Sequence, residues 1–159
     1  IKQLGARLVI NLEKLYLSIK KLDLHNADVK DYYSLSHKLG IVPKNLNQLQ
    51  NKAFGIECNY DELNGIDFKK GCYVGQENTA RIKLKNKLTK RVLPIDIIDG
   101  ELHEGESIFN NENVIGKVLI DKEYPFALIK ILDKNFDENN EFTTKEASIR
   151  IKKPDWINK

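Results

Sequence analysis

The stretch DFKKGCYVGQENTAR, residues 67–81, concentrates the residue types that could do chemistry. It places Cys72 directly after Gly71 and three residues before Gly75, and a run compatible with a helix starts at Gln76. Glycine tolerates positive φ angles and lets a backbone or a ligand come close, so this spacing indicates a tight, exposed turn. The sequence therefore predicts a cysteine in a turn that leads into a helix.

The surroundings of Cys72 favour its thiolate form. A cysteine ahead of a helix N-terminus meets unpaired N–H groups and the positive end of the helix dipole, and Lys69 and Lys70 add positive charge. We therefore expect the pKa of Cys72 to lie below its ordinary value. The alternative is a buried, inert side chain, because free cysteines are among the most buried residue types. Cys58 has neither glycines nor lysines beside it and is the weaker candidate.

The composition excludes several other classes of protein. The chain has 159 residues, of which 41% are hydrophobic and 31% charged, as in an ordinary soluble globular protein. Two cysteines are too few for the disulfide framework of a small secreted protein. Their number therefore favours a protein of a reducing compartment. Three histidines in unrelated segments give little support to a metal site, and no run is apolar enough to span a membrane.

The elements before residue 88 are predicted to be mixed. The segment 6–14 has a short β-branched core and is predicted to form a strand, whereas 26–40 has helical periodicity and ends at Gly40. A short helix is expected within 45–52, and one helical turn within 61–68.

After residue 88 the pattern becomes one of short, β-rich runs with turn signals between them. This regular spacing predicts a small antiparallel barrel or sandwich. We therefore divide the chain into an α+β part, residues 1–87, and an all-β part, residues 88–159. The runs are 89–98, 106–110, 114–121, 125–133, 141–144 and 147–153.

The segment ECNYDELNGIDFKKGCYVGQENTAR, residues 57–81, resembles the signature of the YgfZ-type folate-binding proteins, which include mitochondrial iron–sulfur assembly factors. The hallmark of that family is K-G-C-[FY]-x-G-Q-E, preceded by an E-x-N-x-[DE] stretch and followed by x-x-A-R. The match is free of gaps, and one small departure is Asn78, where the family has an apolar residue. The matching positions are Lys70, Gly71, Cys72, Tyr73, Gly75, Gln76, Glu77, Ala80 and Arg81, with Glu57, Asn59 and Leu63 upstream.

This family is similar in turn to the T-protein of the glycine cleavage system, an aminomethyltransferase that uses tetrahydrofolate. The resemblance implies the C-terminal part of a T-protein-like fold, with an α+β (ferredoxin-like) segment followed by a small antiparallel β-barrel. It implies tetrahydrofolate or a derivative as the cofactor. The family's folate pocket draws heavily on a region upstream of these residues, so we do not expect them to form a complete ligand site.

The resemblance gives roles to three charged residues. Glu57 matches a position where T-proteins use a glutamate to hold the pterin ring, and a carboxylate can accept two hydrogen bonds from an aminopyrimidine edge. Its alternative is an ordinary solvated loop acid. Glu77 and Arg81 are spaced i, i+4, so they form either a plain helix-surface salt bridge or a support for the cysteine loop.

The run KLKNKLTKR, residues 83–91, holds five basic residues in nine. Its alternation favours a solvated strand face or a protected edge, and an alternative role is to bind the polyglutamate tail of a cellular folate. Nucleic acid is an unlikely partner, because the run lacks interleaved aromatic residues and the net charge is a mild +3.

The leading hypothesis is a folate-binding accessory factor for the assembly or maintenance of iron–sulfur clusters in client enzymes. Cys72 would be its functional thiol, and Lys70, Gly71, Tyr73, Gly75, Gln76, Glu77 and Arg81 would shape or hold the cysteine loop. The alternatives are a tetrahydrofolate-dependent aminomethyltransferase and a structural or RNA-binding β-module, so enzymatic activity stays open. The expected partners are folate or its polyglutamylated form, and iron–sulfur client or assembly proteins, with no membrane. The expected location is the bacterial cytoplasm, or the mitochondrial matrix in a eukaryote.

Overall fold

The computed structural model describes residues 2–71, 76–84, 88–134 and 136–158. The α-helices are α1 (Leu12–Lys21), α2 (Val29–Lys38) and α3 (Gln76–Leu84). Short 3-10 helices span Lys2–Leu4, Leu46–Leu49 and Asp155–Asn158. The described residues before Lys90 thus form helices and turns.

The second part of the chain is a closed six-stranded antiparallel barrel, which confirms the predicted α+β class with a small barrel. Around the barrel the order is β1-β4-β3-β2-β5-β6, and each neighbouring pair is antiparallel. Closure leaves no unpaired sheet edge to satisfy. The strands are β1 (Lys90–Gly100), β2 (Ser107–Asn110), β3 (Asn113–Ile120), β4 (Phe126–Lys130), β5 (Glu141–Thr143) and β6 (Ala147–Ile151).

Two apolar clusters lie on opposite faces of the barrel wall. Leu93 belongs to the cluster that fills the barrel, and its neighbour Val92 belongs to a second cluster, because successive strand side chains point to opposite faces. The second cluster joins Val92, Leu119, Ile120 and Phe126 of the barrel to Leu49, Val42, Ala53 and Cys58 of the first part. Both parts of the chain therefore share one packed interface.

Helix α2 agrees with its prediction. The Asp28 side chain caps it by accepting a hydrogen bond from the Lys30 N–H at 2.8 Å, and Gly40 follows it with a φ of +70°. Two polar contacts fix its C-terminal end to the second part of the chain. His37 Nε2 lies 3.0 Å from the carbonyl oxygen of Pro125, and the Trp156 indole N–H donates to the Leu39 carbonyl at 2.8 Å.

The predicted strand at 6–14 is wrong. Residues 6–11 have no regular structure, and Asn11 instead caps α1 by accepting a hydrogen bond from the Glu13 N–H at 2.8 Å. The apolar residues Leu8 and Val9 are exposed. A strand needs a partner for its backbone groups, and none of the described residues pairs with this segment, so its β-branched composition does not produce a strand.

Within the described part of the chain, no helix has both the length and the apolar character that a membrane span requires. Among the same residues, no three His, Cys, Asp or Glu side chains come close enough together to hold a metal ion.

Candidate functional site around the cysteine motif

The cysteine motif lies between two described elements. Lys70 and Gly71 end the preceding segment, and α3 begins at Gln76, as predicted. Cys72, Tyr73 and Gly75 lie outside the described residues, so their predicted roles stay predictions.

Helix α3 has the charge distribution that its dipole favours. Glu77 lies in the first turn and Arg81 in the last turn, and both side chains are exposed. The two do not form the expected i, i+4 salt bridge. Arg81 Nη2 donates instead to the side-chain oxygen of Asn78, one turn back, at 2.9 Å. A support of the cysteine loop by Glu77 and Arg81 stays a prediction.

The segment before the motif is a compact series of turns, residues 54–65, which we call the turn segment. Its backbone bonds include Cys58 N–H to the Phe54 carbonyl at 3.0 Å and Gly65 N–H to the Tyr60 carbonyl at 2.6 Å. A Cβ atom at Gly65 would lie 3.2 Å from the Tyr60 Cβ, so the small residue lets the turn close around that tyrosine.

Glu57 lies in this turn segment and is partly exposed. Its carboxylate accepts a hydrogen bond from the Phe54 N–H at 2.9 Å, three residues back, so the side chain stabilises its own turn. Its backbone carbonyl accepts a hydrogen bond from the Val92 N–H of β1 at 2.8 Å. Glu57 is therefore held at a fixed place beside the barrel, and pterin binding by it stays a prediction.

Cys58 is a poor nucleophile in this structure. Burial is the main cause that raises the pKa of its thiol to about 11, and the neighbouring Glu57 carboxylate adds to the effect. The side chain packs against the second apolar cluster. This environment agrees with the sequence analysis, in which Cys58 is the weaker candidate for a functional thiol.

A cleft of about 220 Å³ lies beside the motif. It brings together the turn segment, the segment that leads to the cysteine, and α3. Within this cleft wall, Asp67 also accepts a hydrogen bond from the Lys69 N–H at 2.8 Å, which fixes the local turn. The lining residues are Gly55, Gly65, Ile66, Asp67, Lys70 and Thr79.

A second cleft of about 170 Å³ lies between the turn segment, α3 and β1, and its polar wall was not predicted. Arg91 is 9% exposed and donates from Nη1 to the Asn59 side-chain oxygen at 2.7 Å and from Nη2 to the Glu62 carboxylate. Asn59 is 1% exposed and donates to the Val92 carbonyl at 3.0 Å. The sequence signal was an arginine directly before the apolar run at residues 92–95 of β1.

The basic run at 83–91 does not form the predicted solvated strand face. Lys83 lies in α3 and pairs with Asp61, and Arg91 is buried at the start of β1. Of the lysines between them, those at positions 85 and 87 lie outside the described residues, and Lys90 is exposed at the start of β1. The structure therefore divides the run between two elements, because the chain leaves the helix before it enters the barrel.

A groove of about 580 Å³ lies between the end of α2 and the segment from β6 to Trp156. Its rim carries Lys38, Lys152 and Lys153, and Lys152 is paired with Asp96. Its described lining includes none of the predicted site residues that the structure describes.

The chain is similar to iron–sulfur cluster assembly factors. It is 38% identical over 90 residues to the mitochondrial "Iron-sulfur cluster assembly factor IBA57 homolog" of Neurospora crassa, which is 57% of this chain and 20% of that protein. The proteins of the same name from Aspergillus oryzae and Dictyostelium discoideum are 41% identical over 68 residues and 31% identical over 93 residues.

These matches cover 43% and 58% of this chain, and 15% and 23% of those two proteins. The matched part thus spans about a fifth of the length of these relatives. No protein-family model matches the chain. Over this part of its length, the chain is similar to mitochondrial iron–sulfur cluster assembly factors of the IBA57 type.

Proposed function

We propose that this chain is the motif-bearing and barrel part of a mitochondrial factor for iron–sulfur cluster assembly, and that Cys72 is its functional thiol. The observation that carries the proposal is its similarity to proteins of that name, at 31–41% identity, in a chain that contains the full K-G-C-Y-V-G-Q-E motif. Its partners would then be iron–sulfur assembly proteins or client enzymes, in the mitochondrial matrix.

The surroundings of the motif support a role for the Cys72 thiol. The other cysteine, Cys58, has a pKa raised to about 11 and is a weak nucleophile at neutral pH. The motif adjoins the cleft of about 220 Å³ that Lys70 and Thr79 help to line. Because clusters usually take four cysteine ligands, a cluster contact through Cys72 requires further ligands from a partner.

Folate binding is a second part of the proposal, and Glu57 is the residue that this chain would contribute to it. The cleft beside the motif does not form a folate site by itself, because sites for molecules of that size measure about 300–1,000 Å³ and this cleft measures about 220 Å³. Glu57 would accept hydrogen bonds from the aminopyrimidine edge, and other parts of the protein would complete the pocket.

Glu57→Gln tests the folate contact. Glutamine keeps an acceptor for the Phe54 N–H but loses the charge, so we expect roughly a tenfold or larger loss of affinity for tetrahydrofolate, measured by calorimetry on the complete protein. Glu112→Gln, at an exposed position in the turn between β2 and β3, is the matched control. Equal affinities of the Glu57→Gln variant and wild type would remove Glu57 from the proposed site. Comparison of mono- and polyglutamylated folate tests the role proposed for the basic run, which equal affinities would exclude.

The decisive experiment is complementation of a strain that lacks its own homologue. The complete gene is expressed with Cys72 intact or changed to alanine, and the activities of an iron–sulfur enzyme and of glycine cleavage are measured. We expect the intact gene to restore the iron–sulfur enzyme and Cys72→Ala to fail. Equal rescue by both would contradict the thiol role, and recovery of glycine cleavage alone would favour the aminomethyltransferase.

A further inference from the structure

A buried polar cluster joins the barrel to the turn segment that precedes the cysteine motif. It consists of Arg91, Asn59 and Glu62, and we call it the Arg91 cluster. Arg91 and Asn59 are 9% and 1% exposed, and one guanidinium group donates to both partners. A single barrel side chain thus holds two residues of the turn segment at once.

The same contacts continue to the helix that follows the motif. Asp61 of the turn segment forms an ion pair with Lys83 of α3, and the Lys83 ammonium lies 5.3 Å from the centre of the Phe68 ring. The cleft of about 170 Å³ is lined by side chains of β1, the turn segment and α3 together. The chain on either side of the motif is therefore connected to β1 through these contacts.

The Arg91 cluster contributes more to the orientation of its members than to the stability of the fold. Burying a guanidinium–carboxylate pair carries a desolvation cost, and apolar residues of similar volume often stabilise such a position as well or better. Here Nε of Arg91 and Oε2 of Glu62 have no hydrogen-bond partner among the described residues, so the pair is incompletely compensated. What the pair adds is direction, because the planar guanidinium fork donates to its partners in a fixed arrangement.

We propose that Arg91 is a positioning residue, which acts from the barrel to hold the turn segment and α3, the described elements on either side of the cysteine motif, in one orientation. The expected effect of Arg91 on iron–sulfur cluster assembly rests on the proposed function. Its effect on the position of the turn segment and α3 does not. In this view the barrel is the rigid platform of the site, although none of its strands carries a motif residue.

The test compares variants that separate stability from geometry. Arg91→Met leaves the Glu62 carboxylate half-buried and unpaired, whereas the double variant Arg91→Met/Glu62→Met removes both charges at similar volume. Asp61→Asn weakens the next link, to Lys83. The matched control is Arg150→Met, which removes an exposed ion pair of β6 with Glu141. The readouts are the Tm, hydrogen–deuterium exchange of α3 amides, and complementation with the complete gene.

We expect Arg91→Met to lower the Tm and the double variant to regain most of the loss. In both, exchange in α3 should be roughly tenfold or more faster than in wild type, because the charged hydrogen bonds of Arg91 no longer oppose local opening. Exchange in β3 and β4 should return to the wild-type rate in the double variant. Asp61→Asn should speed exchange in α3 at an unchanged Tm, and complementation should fall in all three variants but not in Arg150→Met.

The proposal is overturned if the double variant restores the Tm, the slow exchange of α3 and complementation together, since Arg91 would then be a replaceable part of the packing. It is equally overturned if exchange in α3 is unchanged in Arg91→Met. If Cys72→Ala complements as well as wild type, the proposed function fails instead, and the exchange rates of α3 still decide whether Arg91 positions this segment.

Discussion

Single side chains in this protein differ sharply in what their surroundings allow. Burial holds Cys58 in its thiol form, whereas the predicted site places Cys72 ahead of α3 with two lysines before it. Arg91 is charged and buried, and its fork makes contacts that a lysine could not reproduce. For single residues, burial and neighbouring charge therefore distinguish side chains with a structural role from those that are candidates for a reaction.

Alkylation rates test the contrast between the two cysteines. In the Cys72→Ala variant the remaining thiol, Cys58, has a pKa of about 11, so about one molecule in a thousand is thiolate at pH 8. We expect its labelling by iodoacetamide to be slow and to rise about tenfold per pH unit up to that pKa. Mass spectrometry of timed samples measures the rate. Rapid labelling of Cys58 at pH 7 would contradict the buried environment.

His37 should make stability depend on pH. Burial is the main cause that lowers its pKa, against opposing contributions from the Pro125 carbonyl and Asp96. Because the folded pKa lies below the unfolded value of about 6.5, the unfolded chain binds more protons between the two. The contribution of His37 to the free energy of unfolding should therefore be complete above about pH 6.5. It should decrease as the pH falls towards the folded pKa.

Urea unfolding between pH 5 and pH 8 measures this dependence. The variant His37→Gln, which keeps a donor for the Pro125 carbonyl, should show a weaker fall than wild type. His103→Gln, at an exposed histidine, should leave the dependence close to that of wild type. An identical dependence in wild type and His37→Gln would assign the fall to other groups.

The end of β1 lies close to the residue that precedes β6. Gly100 has a φ of +83°, and a Cβ there would lie 2.0 Å from the Glu146 carbonyl oxygen. Gly105, at the turn before β2, also has a positive φ of +90°, but its Cβ would come no closer than 3.7 Å to the Lys117 side chain. The two glycines therefore share one backbone requirement and differ in the space around them.

Alanine at each glycine separates these two effects. Gly105→Ala should cost about 1 kcal/mol, the strain of a non-glycine residue in the left-handed region. Gly100→Ala should cost clearly more, because the clash is with backbone and either β1 or β6 must shift. Chemical denaturation measures both free energies of unfolding. Equal losses would show that the end of β1 relaxes without cost.

As a whole, the molecule is a barrel with a helical part packed on its outside. All strand pairs lie between Lys90 and Ile151, whereas the second apolar cluster includes residues from both parts. Exposed ion pairs such as Lys44 with Glu123 and Lys52 with Glu104 also cross the interface, but pairs of this kind contribute little stability.

The fragment 88–159 tests the predicted boundary between the parts. We expect it to keep a β-type circular dichroism spectrum and a cooperative unfolding transition, because every strand partner is present. Its Tm should be lower than that of the whole chain, because Val92, Leu119 and Phe126 lose their cover. The fragment 1–87 should be largely unfolded alone. An unfolded 88–159 fragment would show that the barrel does not fold without the first part.

Local patterns in the sequence were sufficient for several elements. Helix α2 shows apolar periodicity and a capping Asp28, and the six strands show short β-branched runs between turn residues, so these elements could be predicted. The motif from Lys70 to Glu77 could also be recognised from adjacent residues alone. Such features depend on neighbours in the chain, which is the information that a sequence presents directly.

The tertiary structure decided what depends on distant partners. The strand order β1-β4-β3-β2-β5-β6 joins residues about 50 positions apart, and the burial of Arg91 depends on Asn59 and Glu62 of the turn segment. The β-branched residues at 6–11 stay outside any sheet, because no strand of the described chain lies beside them. Sequence thus determined which segments have strand or helix character and where the cysteine motif lies. Pairing and burial across the fold, which arise from long-range packing, determined how those segments are held together.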